Sequence, residues 1–226
     1  MKLHSFAGTA LLLLLAGCNQ MPGTPKPGPE VPRPDSITNF ATLYSENCSA
    51  CHGNDGQRGA AFDLANPVYQ AWVDDAALRK VIAGGESGTQ MPAFGQAAGG
   101  LLTDSQLDAL VHGMRTTWQK PGALNGQAPP YESTSSGDVA RGQAAYQTAC
   151  ARCHEQPGKK ITDPTYLALV SNQALRTIIV AGRPDLGHPD WQGDIQGRPL
   201  TDQEVTDIVA WLASLRIQTP GQPYPH

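Results

Sequence analysis

The sequence predicts an all-α protein built from two tandem copies of one domain, because it contains an internal repeat and helical hydrophobic patterning. When the 226-residue chain is aligned with itself, Tyr44 falls on Tyr146, and the triplet that begins at Ala77 falls on the identical triplet that begins at Ala174. Repetition of this kind indicates one structural unit used twice, with small loop differences between the copies. No segment alternates convincingly between apolar and polar residues, so we expect no substantial β-sheet.

Three helices are expected in each copy. In the first copy they cover about residues 37–48 and 75–84 and a segment after Thr103, and in the second about 139–150 and 173–181 and a segment after Thr201. Each of these threonines stands three residues before a Gln or Glu, which is the spacing of a capping box. The apolar stripes that follow are Leu107, Leu110, Val111 and Met114, and Val205, Ile208, Val209 and Leu212. A stripe of this period is typical of the buried face of an amphipathic helix.

Four of the five cysteines belong to two identical C-x-x-C-H motifs, which are Cys48, Cys51 and His52, and Cys150, Cys153 and His154. This motif is typical of covalent haem c attachment, in which two thiols bond the haem vinyl groups and the adjacent histidine binds the iron. A zinc site would use two C-x-x-C pairs together and would leave both histidines unexplained. A thioredoxin-like redox pair would need a βαβ setting, which the sequence lacks. The motifs therefore predict two covalently bound haem c groups.

Around these motifs, each half of the chain resembles a class I cytochrome c. The resemblance covers about residues 36–118 and 137–217 and includes an N-terminal helix, the haem motif, a downstream proline, a distal loop and a C-terminal helix. It implies that the carbonyl groups of Pro67 and Pro164 accept a hydrogen bond from the proximal histidine and so fix its ring. The alternative is that both prolines are plain turn residues. Phe40 departs from the family, which often has glycine there, as the second half does at Gly142.

The sixth iron ligand is expected to differ between the halves. In the first half, Met91 and the proline after it resemble the Met-Pro loop of the family, whereas Met114 lies on an apolar stripe and is expected in the core. In the second half the aligned residue is His188, again followed by proline; the alternative is a solvated surface histidine. Because His/Met ligation raises a haem potential, we expect a higher-potential first haem and a lower-potential second haem. Electrons would enter at the second domain and rest on the first.

The N-terminus is typical of an exported lipoprotein. Lys2 and a short apolar run over residues 6–15 resemble a signal peptide, since the run is too short to span a bilayer. The tetrapeptide that ends at Cys18 resembles a lipobox, which implies cleavage before Cys18 and its lipidation; an ordinary secretory signal is the alternative. Several acyl chains would anchor the protein firmly. Asn19 weakly favours the outer membrane, and the proline-rich stretch that follows is expected to be a spacer.

These patterns predict six segments. They are a signal peptide at 1–17, a lipidated cysteine and tether at 18–35, a first domain at 36–120, a linker at 121–136, a second domain at 137–217 and a tail at 218–226. The net charge of −4 argues against nucleic-acid binding. Arg79 and Arg176 occupy equivalent positions and could reach haem propionates, although solvated helix surface is the simpler expectation.

The predicted protein is a membrane-anchored dihaem c-type cytochrome of the bacterial cell envelope, facing the periplasm or the cell exterior. It would transfer single electrons between redox partners such as a dehydrogenase, an oxidase or another cytochrome, and would not itself be an enzyme. One alternative is a small peroxidase-like or gas-reactive enzyme, which would require an open second haem without His188 as ligand. Another alternative is a permanent electron-transfer subunit of a larger respiratory or photosynthetic complex.

Overall fold

The computed structural model describes residues 28–86 and 88–217. The predicted signal peptide, the lipidation site at Cys18 and the tail from residue 218 lie outside the described residues. Residues 28–34 group apart from the compact unit that begins at Asp35, and they hold no helix beyond the first residue of a short 3₁₀ turn at Pro34–Ser36. No helix in the described part of the chain is long and apolar enough to cross a membrane.

The described chain is helical, and the two halves repeat the same order of helices. In the first half these are α1 (Phe40–Asn47), α2 (Ser49–His52), α3 (Pro67–Trp72), α4 (Asp75–Gly84) and α5 (Asp104–Trp118). In the second half these are α6 (Val139–Ala149), α7 (Ala151–His154), α8 (Pro164–Leu167), α9 (Asn172–Ala181) and α10 (Asp202–Ser214). Between residues 28 and 217, apart from Ser87, extended pairing is limited to three isolated bridges. The predicted all-α fold is confirmed.

The helix boundaries follow from side-chain caps. α1 starts three residues later than predicted, because Asn39 caps it by accepting a hydrogen bond from the Thr42 amide at 3.0 Å. Both C-terminal helices begin with the predicted capping box, in which Thr103 and Thr201 each exchange hydrogen bonds with the third residue of the helix. Such a cap satisfies amide groups that the first turn otherwise leaves unpaired.

Each half has its own hydrophobic core. The predicted stripes of α5 and α10 are buried, and they pack against Tyr44 in the first half and Tyr146 in the second. Met114 is 1% exposed within the first core, as its place on the stripe predicts. The two cores meet at two residues. Ala181 of the second half is buried in the core of the first, and Trp72 of the first half packs against the core of the second.

Phe40 stands where the second half has Gly142, and the structure explains this difference. The large and small residues have changed places between the two helices that cross. In the second half, a Cβ atom on Gly142 would lie 1.9 Å from the Asp207 carbonyl oxygen, so α6 needs glycine to approach α10. In the first half the small residue stands on the other helix, because a Cβ atom on Gly113 would lie 2.1 Å from the Phe40 ring. Trp211 occupies the position in α10 that matches Gly113. Each crossing thus pairs one glycine with one aromatic residue.

The predicted linker is fastened to both halves. Trp72 Nε1 donates to the Pro129 carbonyl at 2.7 Å, and the Trp72 ring packs edge-on against Tyr131. On the other side, the Arg176 guanidinium donates to the Pro130 carbonyl at 2.7 Å and pairs with Asp202. Arg176 is only 2% exposed, so the expectation of a solvated helix surface is wrong there, because its charge is enclosed by linker carbonyls. The half-buried Arg79 pairs with two aspartates of α5 instead.

Candidate functional site

The first C-x-x-C-H motif lies at the start of α2. The amides of Cys51 and His52 both donate to the Cys48 carbonyl, at 3.2 and 3.0 Å, so one helical turn holds the two cysteines and the histidine together. Cys48 is half-buried and Cys51 is exposed, and both are free thiols. A turn of helix therefore presents both thiols beside the imidazole, as attachment of one haem requires.

The ring of His52 is oriented by a backbone carbonyl. Its Nδ1 atom lies 2.7 Å from the Phe62 carbonyl oxygen, so Nδ1 carries the proton and donates, which leaves Nε2 free to bind a metal. Burial lowers the pKa of His52, and this favours the neutral imidazole that metal binding requires. His154 repeats the arrangement, with its Nδ1 atom 2.8 Å from the Lys159 carbonyl oxygen.

The predicted proline acceptors need correction. The acceptors are Phe62 and Lys159, whereas Pro67 and Pro164 each form the first turn of a helix. Proline suits this position because its missing amide would be unpaired there anyway. The Pro164 carbonyl instead accepts from the Ala168 amide at 3.1 Å. The sequence could not indicate the true acceptors, because any residue can supply a backbone carbonyl.

Met91 lies in a tight loop that follows α4. The loop turns at Gly85, whose φ of 68° is left-handed, and a Cβ atom there would lie 2.6 to 2.8 Å from the backbone of residues 91–93. The Glu86 amide donates to the Met91 carbonyl at 3.1 Å and closes the loop. Met91 is half-buried against the first core. The backbone contacts on either side of this loop therefore fix the position of Met91 in the chain relative to α4.

His188 occupies the same loop position in the second half. Gly182, with a φ of 72°, turns the chain, and the Arg183 and His188 backbones exchange hydrogen bonds at 2.9 and 3.1 Å. The Arg183 amide matches that of Glu86, and the His188 carbonyl matches that of Met91. The two loops therefore share one backbone design and differ in the side chain offered, a thioether in the first half and an imidazole in the second.

His154 and His188 face one another across the second half. Their ring centres are 5.7 Å apart and the planes are inclined by 37°. Two imidazoles that bind one metal ion from opposite sides, each at about 2 Å, have centres about 6 Å apart. Burial lowers the pKa of His188, and its Nδ1 atom is buried without a hydrogen-bond partner among residues 28–86 and 88–217. These features fit two imidazoles that share one metal.

Two segments of the chain match family models of c-type cytochromes. Residues 35–112 match the family model described as cytochrome c oxidase, cbb3-type, subunit III, and residues 139–216 match the cytochrome c family model. The chain contains two cytochrome c domains. Two such domains imply two covalently bound haem c groups, whose irons supply one-electron redox chemistry when bound. The turn of the first motif fits this attachment. The second motif repeats it, since the Cys153 and His154 amides both donate to the Cys150 carbonyl, at 3.1 and 2.9 Å.

Among curated proteins, the chain is similar to two oxidase subunits. It is 31% identical over 141 residues to the cbb3-type cytochrome c oxidase subunit CcoP of Azospirillum sp. (strain B510), a match that covers 55% of this chain and 43% of that protein. It is 26% identical over 169 residues to subunit FixP of Bradyrhizobium diazoefficiens, covering 67% of this chain and 53% of that protein. The chain thus spans about half the length of these curated relatives.

Among solved structures, a reducing HAO-like protein complex of Kuenenia stuttgartiensis shares 16% identity at a TM-score of 0.48, covering 83% of this chain and all of that one. This similarity is too low to support a functional argument.

Three polar residues near the haem motifs had no signal in the sequence. Asn66 is fully buried and donates from Nδ2 to the carbonyls of Ala181 and Gly182, at 2.8 and 3.2 Å, so it links the two domains. Arg183 and Asp185 form a buried ion pair with an N–O distance of 2.8 Å at the same boundary. Their role depends on contacts between residues more than 100 positions apart, which no local pattern encodes.

Proposed function

We propose that this protein passes single electrons through two haems of unequal potential, one held by His52 and Met91 and the other by His154 and His188. The observation that carries the proposal is the facing pair of imidazoles in the second domain, 5.7 Å apart. With both His154 and His188 as ligands, the second haem would have no free position for a substrate, which favours electron transfer over chemistry at the iron. The facing pair also argues against the alternative of an enzyme with an open second haem.

The unequal potentials follow from the axial ligands. The thioether of Met91 raises the potential of its haem, whereas the second imidazole of His188 does not. An electron would therefore be more stable in the first domain than in the second, and each 59 mV of difference would change the equilibrium constant for transfer between the haems tenfold. The protein's contribution is to hold the ligands, exclude water and set this difference.

We further propose that the chain works as a permanent subunit of a respiratory complex and delivers electrons to a terminal oxidase. Both named relatives are subunits of cbb3-type oxidases, and the first domain matches the model of subunit III of that enzyme. This support favours the subunit over a freely diffusing carrier. Purification of the native protein from membranes in mild detergent tests the proposal: oxidase subunits should co-purify with it, whereas recovery of the chain alone contradicts it.

Attachment to the membrane through Cys18 is part of the proposal. Lipidation there would hold the haem domains at the surface on the periplasmic or exterior side, with the outer membrane weakly favoured by Asn19. Mass spectrometry of the mature N-terminus should find an acylated cysteine, and Cys18→Ser should release the protein into the soluble fraction. An unmodified N-terminus that begins elsewhere would disprove the anchor.

Replacement of His188 tests the ligand assignment. His188→Ala should convert the second haem from low spin to high spin, because it removes one strong axial ligand, and should leave the first haem unchanged. Electron paramagnetic resonance of the oxidised protein measures both spin states. The matched control is His112→Ala, which removes an exposed histidine of α5 and should leave both spectra unchanged. A second haem that stays low spin in His188→Ala excludes His188 as its ligand.

A further inference from the structure

The distal loop of the second domain packs against the haem motif of the first. The Arg183 guanidinium donates to the Gly59 carbonyl at 3.4 Å. Gly59 in turn lies directly against the motif helix, because a Cβ atom there would be 2.2 Å from the Cys51 carbonyl oxygen and 2.6 Å from the His52 carbonyl carbon. One glycine therefore separates the Arg183 charge from the backbone of the proximal histidine.

Asp185 completes this contact. Its carboxylate accepts two hydrogen bonds from Arg183, both at 2.8 Å, and one from the Arg58 amide at 3.3 Å. Arg58 has a φ of 61°, an uncommon left-handed conformation for a residue with a side chain. The side chains of Arg183 and Asp185 are 10% and 1% exposed, so the ion pair is shielded from water.

The same arginine is bonded to the loop of the second haem site. Its backbone exchanges two hydrogen bonds with His188, the predicted distal ligand. Arg183 therefore lies in the loop that carries one predicted ligand and, through Gly59, against the helix that carries another.

Asp63 brings a third charge to the boundary. It is 3% exposed, and one of its carboxylate oxygens has no hydrogen-bond partner in the described part of the chain. Burial and the nearby Asp185 raise its pKa, while Arg183 opposes this shift. The cluster thus contains one buried guanidinium and two carboxyl groups, so the replacement of Arg183 or Asp185 changes the charge at the boundary.

We propose that the Arg183–Asp185 pair is a charge element shared by the two haem sites, and that it sets both haem potentials together. The inference rests on the ligands proposed above. Oxidation adds one positive charge to a haem, so a nearby cation disfavours the oxidised form and raises the potential, and a nearby anion lowers it. In a water-poor interior this effect acts over longer distances than at the surface.

Charge-changing variants of the pair test the proposal. Arg183→Gln should lower both potentials and Asp185→Asn should raise both. Each shift should correspond to a threefold to tenfold change in the equilibrium constant for reduction of that haem, which is at most about 59 mV. Arg183→Lys keeps the charge and should leave both potentials close to wild type. The control is Arg198→Gln, which removes an exposed arginine paired with Glu204 and should shift neither. Spectroelectrochemical titration of the purified dihaem protein, with both haems followed separately, gives the values.

The outcomes separate this inference from the proposed function. Shifts confined to the second haem would show that the pair serves only its own loop and would overturn the inference. Shifts of the same sign in Arg183→Gln and Asp185→Asn would also overturn it, because they would indicate loop disruption rather than charge. Wild-type protein in which the second haem lacks two histidine ligands would instead contradict the proposed function, whatever the variants do.

Discussion

The contact made by Asn66 gives a sharp test of how the domains are joined. Its side chain uses both ends, since Oδ1 accepts from the amides of Val68 and Tyr69 while Nδ2 donates to two carbonyls of the second domain. Asn66→Asp keeps the shape and the helix cap but removes both donors. The variant therefore removes these two hydrogen bonds between the domains without removing the cap of α3.

The expected cost can be worked from these bonds. Leaving a buried acceptor unpaired costs about 1–3 kcal/mol, and two acceptors lose their donor. We expect a total of about 2–4 kcal/mol, in the lower part of the range, because burial raises the pKa of the new carboxyl and its protonated form can donate one bond again. The loss should be largest at neutral pH and should shrink as the pH falls through the raised pKa.

Thermal and guanidinium unfolding, followed by circular dichroism, measure this cost. For a chain of this length, 1 kcal/mol corresponds to about 2–4 °C, so the transition temperature should fall by roughly 4–16 °C. The matched control is Asp163→Asn at the equivalent position, where the exposed side chain caps α8 by accepting from the Thr165 and Tyr166 amides. The control should change stability by less than about 0.5 kcal/mol. Equal stability of both variants would refute the reasoning.

Three further predictions concern the helices and the linker. The Arg198 guanidinium, ahead of the Thr201 cap, lowers the pKa of Glu204 to about 2. The ionised Glu204 therefore stabilises the fold above the ordinary pKa of a glutamate, and this stabilisation is lost as the pH falls toward 2. Glu204→Gln should flatten that part of the acid unfolding curve, and an unchanged curve would contradict the assignment. Gly142→Ala should lower stability by about 1–3 kcal/mol in guanidinium unfolding, because the new methyl group meets the backbone of α10; a neutral effect would disprove the close crossing. Trp72→Phe removes the 2.7 Å hydrogen bond to Pro129 and should speed limited proteolysis of the linker, whereas an unchanged cleavage rate would show that the bond does not hold it.

Local patterns in the sequence predicted most of the fold. The capping boxes at Thr103 and Thr201 and the apolar stripes behind them depend on residues three or four positions apart, so the sequence alone indicates where α5 and α10 begin and which face is buried. Spacing also predicted the two haem motifs, since one turn of helix brings their residues together. The repeat then extended each prediction from one half to the other.

Predictions that depended on contacts without a signature in the sequence were less successful. The acceptors of the proximal histidines are backbone carbonyls, which carry no signature, and the expected Pro67 and Pro164 are wrong for that reason. Arg176 was expected to be solvated, but carbonyl groups of the linker enclose it. The assignment of Met91 and His188 as ligands stays a prediction, supported by the matching geometry of their loops.

By itself, the sequence determined the helical repeat, the haem motifs and the different side chains of the two distal loops, because each can be identified from residue types and spacing alone. Only the tertiary structure decided how the domains meet. It placed Asn66 on the carbonyls of the second domain and Arg183 beside the first haem motif, contacts that span more than 100 residues. Such contacts depend on the packing of whole helices, and that packing makes two separate copies of one domain into a single two-haem unit.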